Sequence, residues 1–250
     1  MPNTIQQLYR FPIKGLSPEP LATISALPGE GVAGDRQFAL ARAATAFDQT
    51  APTHLPKTSF LMLQRDEKLA GLKTRFEPAT GTLSIDNDGT VVTASVRETG
   101  GRESIETFFA EFMSLGADSH PRLVSATGHM FSDVPAKVLS LINMASIAEL
   151  EGRLAATIDP LRFRGNVYFD GEVPWSELDW VGREIKIGET VLEVVQRTQR
   201  CAATNVNPAT AVRDLNIPKS LMTEYGHMDM GVYARVMTGG TLKPGMEIEA

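Results

Sequence analysis

The residue of this 250-residue chain best suited to covalent or metal chemistry is its single cysteine, Cys201. It follows the β-branched run Val191 to Gln196 and the short basic stretch Arg197-Thr198-Gln199-Arg200. Two guanidinium groups close to a thiol favour its thiolate form. A thiolate is both a nucleophile and a soft-metal ligand. A lone cysteine in an arbitrary protein is more often a packed structural residue. The flanking arginines weigh against that here, because guanidinium groups resist full burial.

A second cluster is Arg162-Phe163-Arg164-Gly165-Asn166. Alternating arginines at a strand entry can place one head in a cleft, and the planar donor fork of arginine suits phosphate. A solvated strand edge with a surface salt bridge accounts for the same residues equally well. Lys14, in the turn that ends the first strand, and Arg36, in Gly34-Asp35-Arg36, each put one cation at a strand end, where ligand contacts concentrate. Taken singly, each reads as a surface charge. The four histidines, His54, His120, His129 and His227, do not pair with one another or with Cys201 at metal-ligand spacing, so a zinc site is not expected. The sequence has no Walker loop, no GxGxxG and no GxSxG. Trp175 and Trp180, with Glu177 and Asp179 between them, read as a packed lid.

The elements that must position these residues are mostly short strands between turn signals. Strands are expected at Ile5 to Phe11, Gln37 to Arg42 and Phe60 to Leu63. A hairpin of Thr82 to Ile85 and Val91 to Val96 is expected around Asp86-Asn87-Asp88-Gly89. Glu98-Thr99-Gly100-Gly101 reads as a break, followed by a helix with Ser104 as its N-cap and an apolar stripe Ile105, Phe108, Phe109, Phe112 and Met113. Val138 to Asn143 reads as a buried strand running into a helix whose capping box is Ser146-Ile147-Ala148-Glu149. Amides exposed at such a terminus favour anions. Strands Asn166 to Phe169, Glu184 to Ile187, Val191 to Gln196, Gly231 to Thr238 and Gly245 to Glu249 follow. Gly188-Glu189 makes a tight hairpin, and Asn207-Pro208 looks like the start of a short helix. The chain thus reads as α+β and β-rich, in two lobes with a boundary between about residues 95 and 130.

Composition is that of an ordinary globular protein, 42% hydrophobic and 22% charged. A formal net charge of -6 argues against nucleic-acid or anionic-membrane binding, but permits a local basic pocket. One cysteine suits a reducing compartment. With no apparent signal peptide and no long apolar run, a cytoplasmic location is expected.

Taken in order, several segments resemble the MOSC family, molybdenum-cofactor-binding proteins related to the C-terminal domain of molybdenum cofactor sulfurase, and within it the amidoxime-reducing and YcbX-like group. Tyr9-Arg10-Phe11-Pro12-Ile13-Lys14 and Gly31-Val32-Ala33-Gly34-Asp35-Arg36 resemble the start of an N-terminal β-barrel domain. Phe131-Ser132-Asp133, Ser146-Ile147-Ala148-Glu149-Leu150, Arg162-Phe163-Arg164-Gly165-Asn166, Arg200-Cys201-Ala202-Ala203-Thr204 and Leu242-Lys243-Pro244-Gly245-Met246 resemble successive MOSC landmarks. The resemblance implies an N-terminal β-barrel-like lobe over 1–100 and a MOSC β-barrel domain with short peripheral helices over 101–250.

The resemblance also implies a site. Cys201 would be the protein's thiolate ligand to molybdenum in a pyranopterin cofactor. Lys14, Arg36, Arg164 and Arg200 would neutralise the pterin phosphate, Asn166 would hydrogen-bond the pterin, and Ser146 would bind phosphate from its helix N-terminus. Tyr233 would line the substrate side. The implied activity is reduction of N-hydroxylated small molecules, with electrons from an external flavin or iron–sulfur reductase. The alternative is a cofactor carrier or sulfur-transfer protein using Cys201. A third reading is a β-barrel interaction module whose basic residues are surface charges. Gln199, Gly15 and the turn-rich stretch Thr45 to Thr58 depart from the reductase pattern and bear on the activity more than on the cofactor.

Overall fold

The computed structural model describes residues 3–250. In chain order its strands are β1 (Asn3–Arg10), β2 (Glu19–Pro20), β3 (Ile24–Ala26), β4 (Phe38–Ala41), β5 (Lys73–Glu77), β6 (Thr82–Asn87), β7 (Thr90–Ser95), β8 (Arg122–Ser125), β9 (Leu139–Asn143), β10 (Val167–Asp170), β11 (Glu184–Ile187), β12 (Thr190–Gln199), β13 (Asp229–Thr238), β14 (Gly240–Leu242) and β15 (Glu247–Ile248). The α-helices are α1 (Thr99–Phe112), α2 (Met144–Leu154) and α3 (Ile217–Tyr225). The expected β-rich α+β class holds. Among the described residues, no helix is long and apolar enough to cross a membrane.

The principal sheet runs β11-β12-β13-β9-β10-β1-β15, with β2 on β1. It curls until its edges touch: Lys186 and Glu249 exchange backbone hydrogen bonds of 2.8 and 2.9 Å. Curling removes the open edges that a flat sheet would expose. Ile5, Leu8, Leu141, Val167, Leu192, Val194, Val232 and Val236 fill its inside. The parallel neighbours β9 and β10 are buried on both faces, because Ile142 and Tyr168 turn outward into a layer closed by α2 and α3.

The first strand belongs to this sheet although it opens the chain: β1 pairs with β10 and β15, and β3 pairs with β14. The intervening chain builds a second core. There β4 pairs with β8, the meander β5-β6-β7 stands beside them, and α1 packs Ile105 and Phe109 against Phe38, Leu40, Leu83 and Ile85. The chain passes from the first core to the second at Phe11 to Leu16, the segment that carries Lys14.

Several expected elements differ. Phe60 to Leu63 is not a strand; it makes one bridge, Ala41 to Phe60, and then turns, with the Asp66 carboxylate accepting from the Met62 amide at 2.8 Å. Strand β5 escaped notice because it is an edge strand whose only buried side chain is Phe76. Gly100 and Gly101 are not a break but the first turn of α1, and Ser104 lies inside the helix, donating to the Gly100 carbonyl. A Cβ on Gly101 would sit 2.2 Å from the Ser95 carbonyl oxygen, so a glycine is needed where the helix leaves β7. Helix α2 starts two residues before Ser146, with the Asn143 side chain accepting from the Ala145 amide at 3.0 Å as N-cap. Asn207-Pro208 starts no helix. Asn207 accepts from the Ala209 amide in a local turn, and α3 begins at Ile217 behind the N-cap Asn216 with Pro218 in its first turn. Trp180 is not in a lid but in the core, stacked on Phe169.

Candidate functional site

The barrel end of β12, the turn before β10 and the crossing segment Phe11 to Leu16 converge on one cleft between the two cores. It encloses about 900 Å³, including the part open to solvent, and is lined by Lys14, Arg36, Asp133, Arg162, Arg164, Arg200, Cys201 and Tyr233 among others.

Residues 160–164 explain how the arginines get there. Asp159 caps the 3-10 turn Pro160–Phe163, its carboxylate accepting from the Leu161 amide at 2.8 Å. Arg164 ends the turn with φ 52°, and Arg36 in its own turn has φ 47°. Side chains seldom adopt this left-handed backbone, and each instance costs about 1–2 kcal/mol. Strain of this kind persists where the surroundings fix it and gathers at functional sites. Here the Arg36 amide donates 2.7 Å to the Phe11 carbonyl, and Asp35 holds the Phe11 amide at 2.6 Å. The Arg36 and Arg164 guanidiniums both stack on the Phe11 ring, 4.9 and 4.2 Å from its centroid. The arginines of Arg162-Phe163-Arg164 therefore both reach the cleft from a turn, and do not alternate along a strand.

Each cation is held differently. Lys14 is buried, donating 2.5 Å to Asp133 Oδ1 and 3.0 Å to the Phe131 carbonyl. Arg36 pairs with Asp35 and donates 3.0 Å to the Arg164 carbonyl. Arg162 pairs with Asp214 at 2.6 Å and donates to the Asn205 carbonyl at 3.0 Å. Arg200 donates through Nε to the Met230 carbonyl at 2.8 Å, through Nη1 to the Phe163 carbonyl at 2.9 Å, and through Nη2 to Met230 again. Arg164 donates from Nη1 to the Leu16 carbonyl at 2.7 Å. Among the described residues, no carboxylate is within ion-pair distance of Arg164 or Arg200.

Burial and the neighbouring charges shift the protonation equilibria of these groups. Burial, with Arg36 alongside, lowers Arg164 to about 9, still protonated at neutral pH. Burial also lowers Arg200 and Lys14; Asp133 opposes the drop at Lys14, and Arg36 and Arg164 add to it. Burial raises the Tyr233 phenol against the pull of Arg200 and Arg36, so at neutral pH it is an O–H donor. Burial disfavours the Arg36 charge, but Asp35, Tyr233 and Asp133 outweigh it and leave Arg36 above its ordinary value. Buried polar atoms without partners cluster here: Arg164 Nη2, Arg162 Nε, Ser140 Oγ and Thr198 Oγ1. Such groups are costly unless something binds them.

Of the residues singled out in the sequence, Cys201, Lys14, Arg36, Arg164, Asn166, Arg200 and Tyr233 all line the cleft. Cys201 is a free, half-buried thiol at the start of the 3-10 turn Ala202–Asn205, its carbonyl accepting from the Thr204 amide and hydroxyl. Asn166 ties the wall together, accepting from the Ser140 amide at 3.1 Å and donating to the Tyr9 carbonyl at 3.1 Å. A Cβ on its neighbour Gly165 would sit 2.5 Å from Ile142 Cγ1, so only glycine lets the turn close against β9.

Two expectations fail. Ser146 is not in the cleft and is not an N-cap. It is buried, donates to the Glu177 carboxylate at 2.9 Å and accepts from the Trp175 amide at 2.8 Å. Arg197 does not flank the thiol, because strand alternation turns it outward to the Leu178 carbonyl and Asp179 while Arg200 turns in. Sequence reasoning missed Ser140, Thr198 and Lys57 as lining residues. Strand alternation inward from Arg200 could have found Thr198; nothing local marks Ser140 or Lys57.

Residues 127–249 match the family model of the MOSC domain. Over 117 residues the chain is 28% identical to the human protein named mitochondrial amidoxime-reducing component 1, covering 42% of this chain and 34% of that protein. Over 99 residues it is 35% identical to the molybdenum cofactor sulfurase of Drosophila grimshawi, covering 37% of this chain and 12% of that protein. The chain thus spans a minority of either relative's length. The crystal structure of the YUAD protein from Bacillus subtilis aligns over 100% of this chain and 95% of that one, at TM-score 0.46 and 14% identity.

Proposed function

Because residues 127–249 are a MOSC domain, we propose that the cleft binds a molybdenum cofactor and that the protein reduces N-hydroxylated small molecules with electrons from an external reductase. The observation that carries this reading is one free thiol in the same cleft as Arg164 and Arg200, neither of which has a carboxylate within ion-pair distance among the described residues.

The residues present fit such a group. Among the described residues, no three His, Cys, Asp or Glu side chains gather to hold a metal, so a metal at Cys201 would bring its remaining donors with it. A pyranopterin dithiolene with a terminal phosphate would do that, and the phosphate would suit Lys14, Arg36 and Arg164. Cys201 would be the soft protein donor. Arg200, fixed by two carbonyls, would act mainly through its charge. The unpartnered Arg164 Nη2 and Thr198 Oγ1 are the donors that a bound ligand would satisfy. Asn166 would shape the wall through its two backbone bonds. Tyr233, neutral at physiological pH, would donate a hydrogen bond to the substrate. When bound, the cofactor supplies two-electron redox chemistry; replacing N–OH by N–H consumes two electrons and two protons and releases water. The electron donor would be a flavin or iron–sulfur protein, and the free thiol suits the cytoplasm.

The match to proteins named sulfurase favours a second reading, in which Cys201 carries the cofactor or a persulfide without turnover. Molybdenum-loaded protein, supplied with chemically reduced viologen and an N-hydroxylated amidine, separates the two. Amidine formation supports the reductase; bound molybdenum with no amidine supports the carrier.

A further inference from the structure

A second cavity opens behind the arginine wall. It encloses about 1030 Å³, including its solvent mouth, and lies between the cores, with Leu16, Leu63 and Leu72 on one side and Leu161, Val206 and Pro208 on the other. It adjoins the Cys201 cleft, and Gly15, Leu63, Arg162, Arg164 and Ala203 line both.

The lining is apolar apart from this wall and four polar residues, Ser17, Lys73, Thr74 and Asp159, two of whose side chains are already engaged. The Ser17 hydroxyl donates to the Leu72 carbonyl and accepts from the Thr74 amide, and Asp159 accepts from the Leu161 amide. At the wall the situation reverses. Arg162 is 4% exposed and its Nε has no partner, and Arg164 Nη2 is also buried without one. The Arg162 charge is matched by Asp214, whereas Arg164 has no carboxylate in ion-pair distance among the described residues. An apolar chamber with a few convergent donors is the usual form of a small-molecule site. The donors here are cationic, and in a low-dielectric chamber an anion gains far more from them than in water.

We propose that the second cavity is a binding site for a small organic anion with an apolar body, such as a medium-chain or aromatic carboxylate. The head group lies against the Arg162–Arg164 wall, and the body lies among the leucines between the cores.

Calorimetric titration of the full-length protein with hexanoate, and with 1-hexanol as the uncharged counterpart, tests this. Saturable hexanoate binding at least tenfold tighter than that of 1-hexanol is expected. Filling the chamber with Ala70→Trp, or independently with Ala209→Trp, should weaken hexanoate at least tenfold. Both residues line this cavity and not the Cys201 cleft. Circular dichroism and cofactor content of the same samples check that fold and cleft are intact. Absent hexanoate binding, or binding equally tight in wild type and both folded variants, would overturn the proposal. Because Arg164 lines both cavities, the titration is repeated on protein freed of cofactor, which tells a competing phosphate in the cleft from an absent site.

Discussion

Lys14 and Asp133 meet at 2.5 Å although 119 positions separate them in the chain, and their pair joins the segment after β1 to the loop before β9 at the cleft rim. The Asp133 side chain is 48% exposed, so the pair is partly screened and worth at most about 1 kcal/mol. Asp133 also competes with any anion for the Lys14 charge. Asp133→Asn should tighten binding of inorganic pyrophosphate to cofactor-free protein by about fivefold, the equivalent of that energy. Unchanged or weaker binding in calorimetry would show that Asp133 does not mask Lys14.

Arg164 separates charge from strain. Both Arg164→Ala and Arg164→Gly remove the guanidinium and should weaken cofactor retention by roughly 1.5–3 kcal/mol, the value of a hydrogen bond to a charged group. Only glycine relieves the left-handed backbone at φ 52°. Thermal unfolding should therefore find Arg164→Gly about 1 kcal/mol more stable than Arg164→Ala. Equal stabilities would mean that the turn relaxes around alanine.

Arg213 latches the cleft. It donates to the Ala202 carbonyl at 2.9 Å, beside Cys201, and to the Leu63 and Gln64 carbonyls at 3.1 and 2.9 Å on the other core. Arg213→Ala should lower stability by about 1–3 kcal/mol. It should also speed modification of Cys201 by a thiol reagent, since the loop behind the thiol loses its anchor. Unaltered thiol reactivity would show that the loop is held by its own turn.

Glu177 gives the fold a pH signature. Its carboxylate is fully buried against Asn143 and Ser146, and burial raises its pKa although Asn143 and Ser146 oppose the rise. The folded state therefore prefers the protonated acid. That contribution is fully present below the ordinary value of 4.5 and is lost as pH rises through the raised value. Glu177→Gln has no such loss, so its melting temperature relative to wild type should climb between pH 4.5 and 7. A difference flat with pH would refute the buried-acid account.

These residues also show what was legible in the sequence. Strands with period-two apolar patterns, such as β6, β12 and β13, were readable because one face packs a core. Strand β5 was not, because an edge strand carries charge on most positions. The cleft cations were legible as a set only through the family resemblance; taken singly, Lys14 and Arg36 read as surface charges. Their partners were not: Asp133, Asp214 and the carbonyls holding Arg200 and Arg213 are chosen by tertiary contact. Ser146 misled because a capping-box pattern fits Ser-x-x-Glu, while Asn143 three residues earlier makes the actual cap.

The central claim is that Cys201 and the surrounding cations hold a molybdenum cofactor. The most direct test is the molybdenum and pterin content of protein expressed in a host that makes the cofactor, wild type beside Cys201→Ser. The account expects both near one per chain in wild type, and molybdenum lost from Cys201→Ser with its circular dichroism unchanged. Wild-type protein free of both under those conditions, or Cys201→Ser retaining full molybdenum, would contradict it.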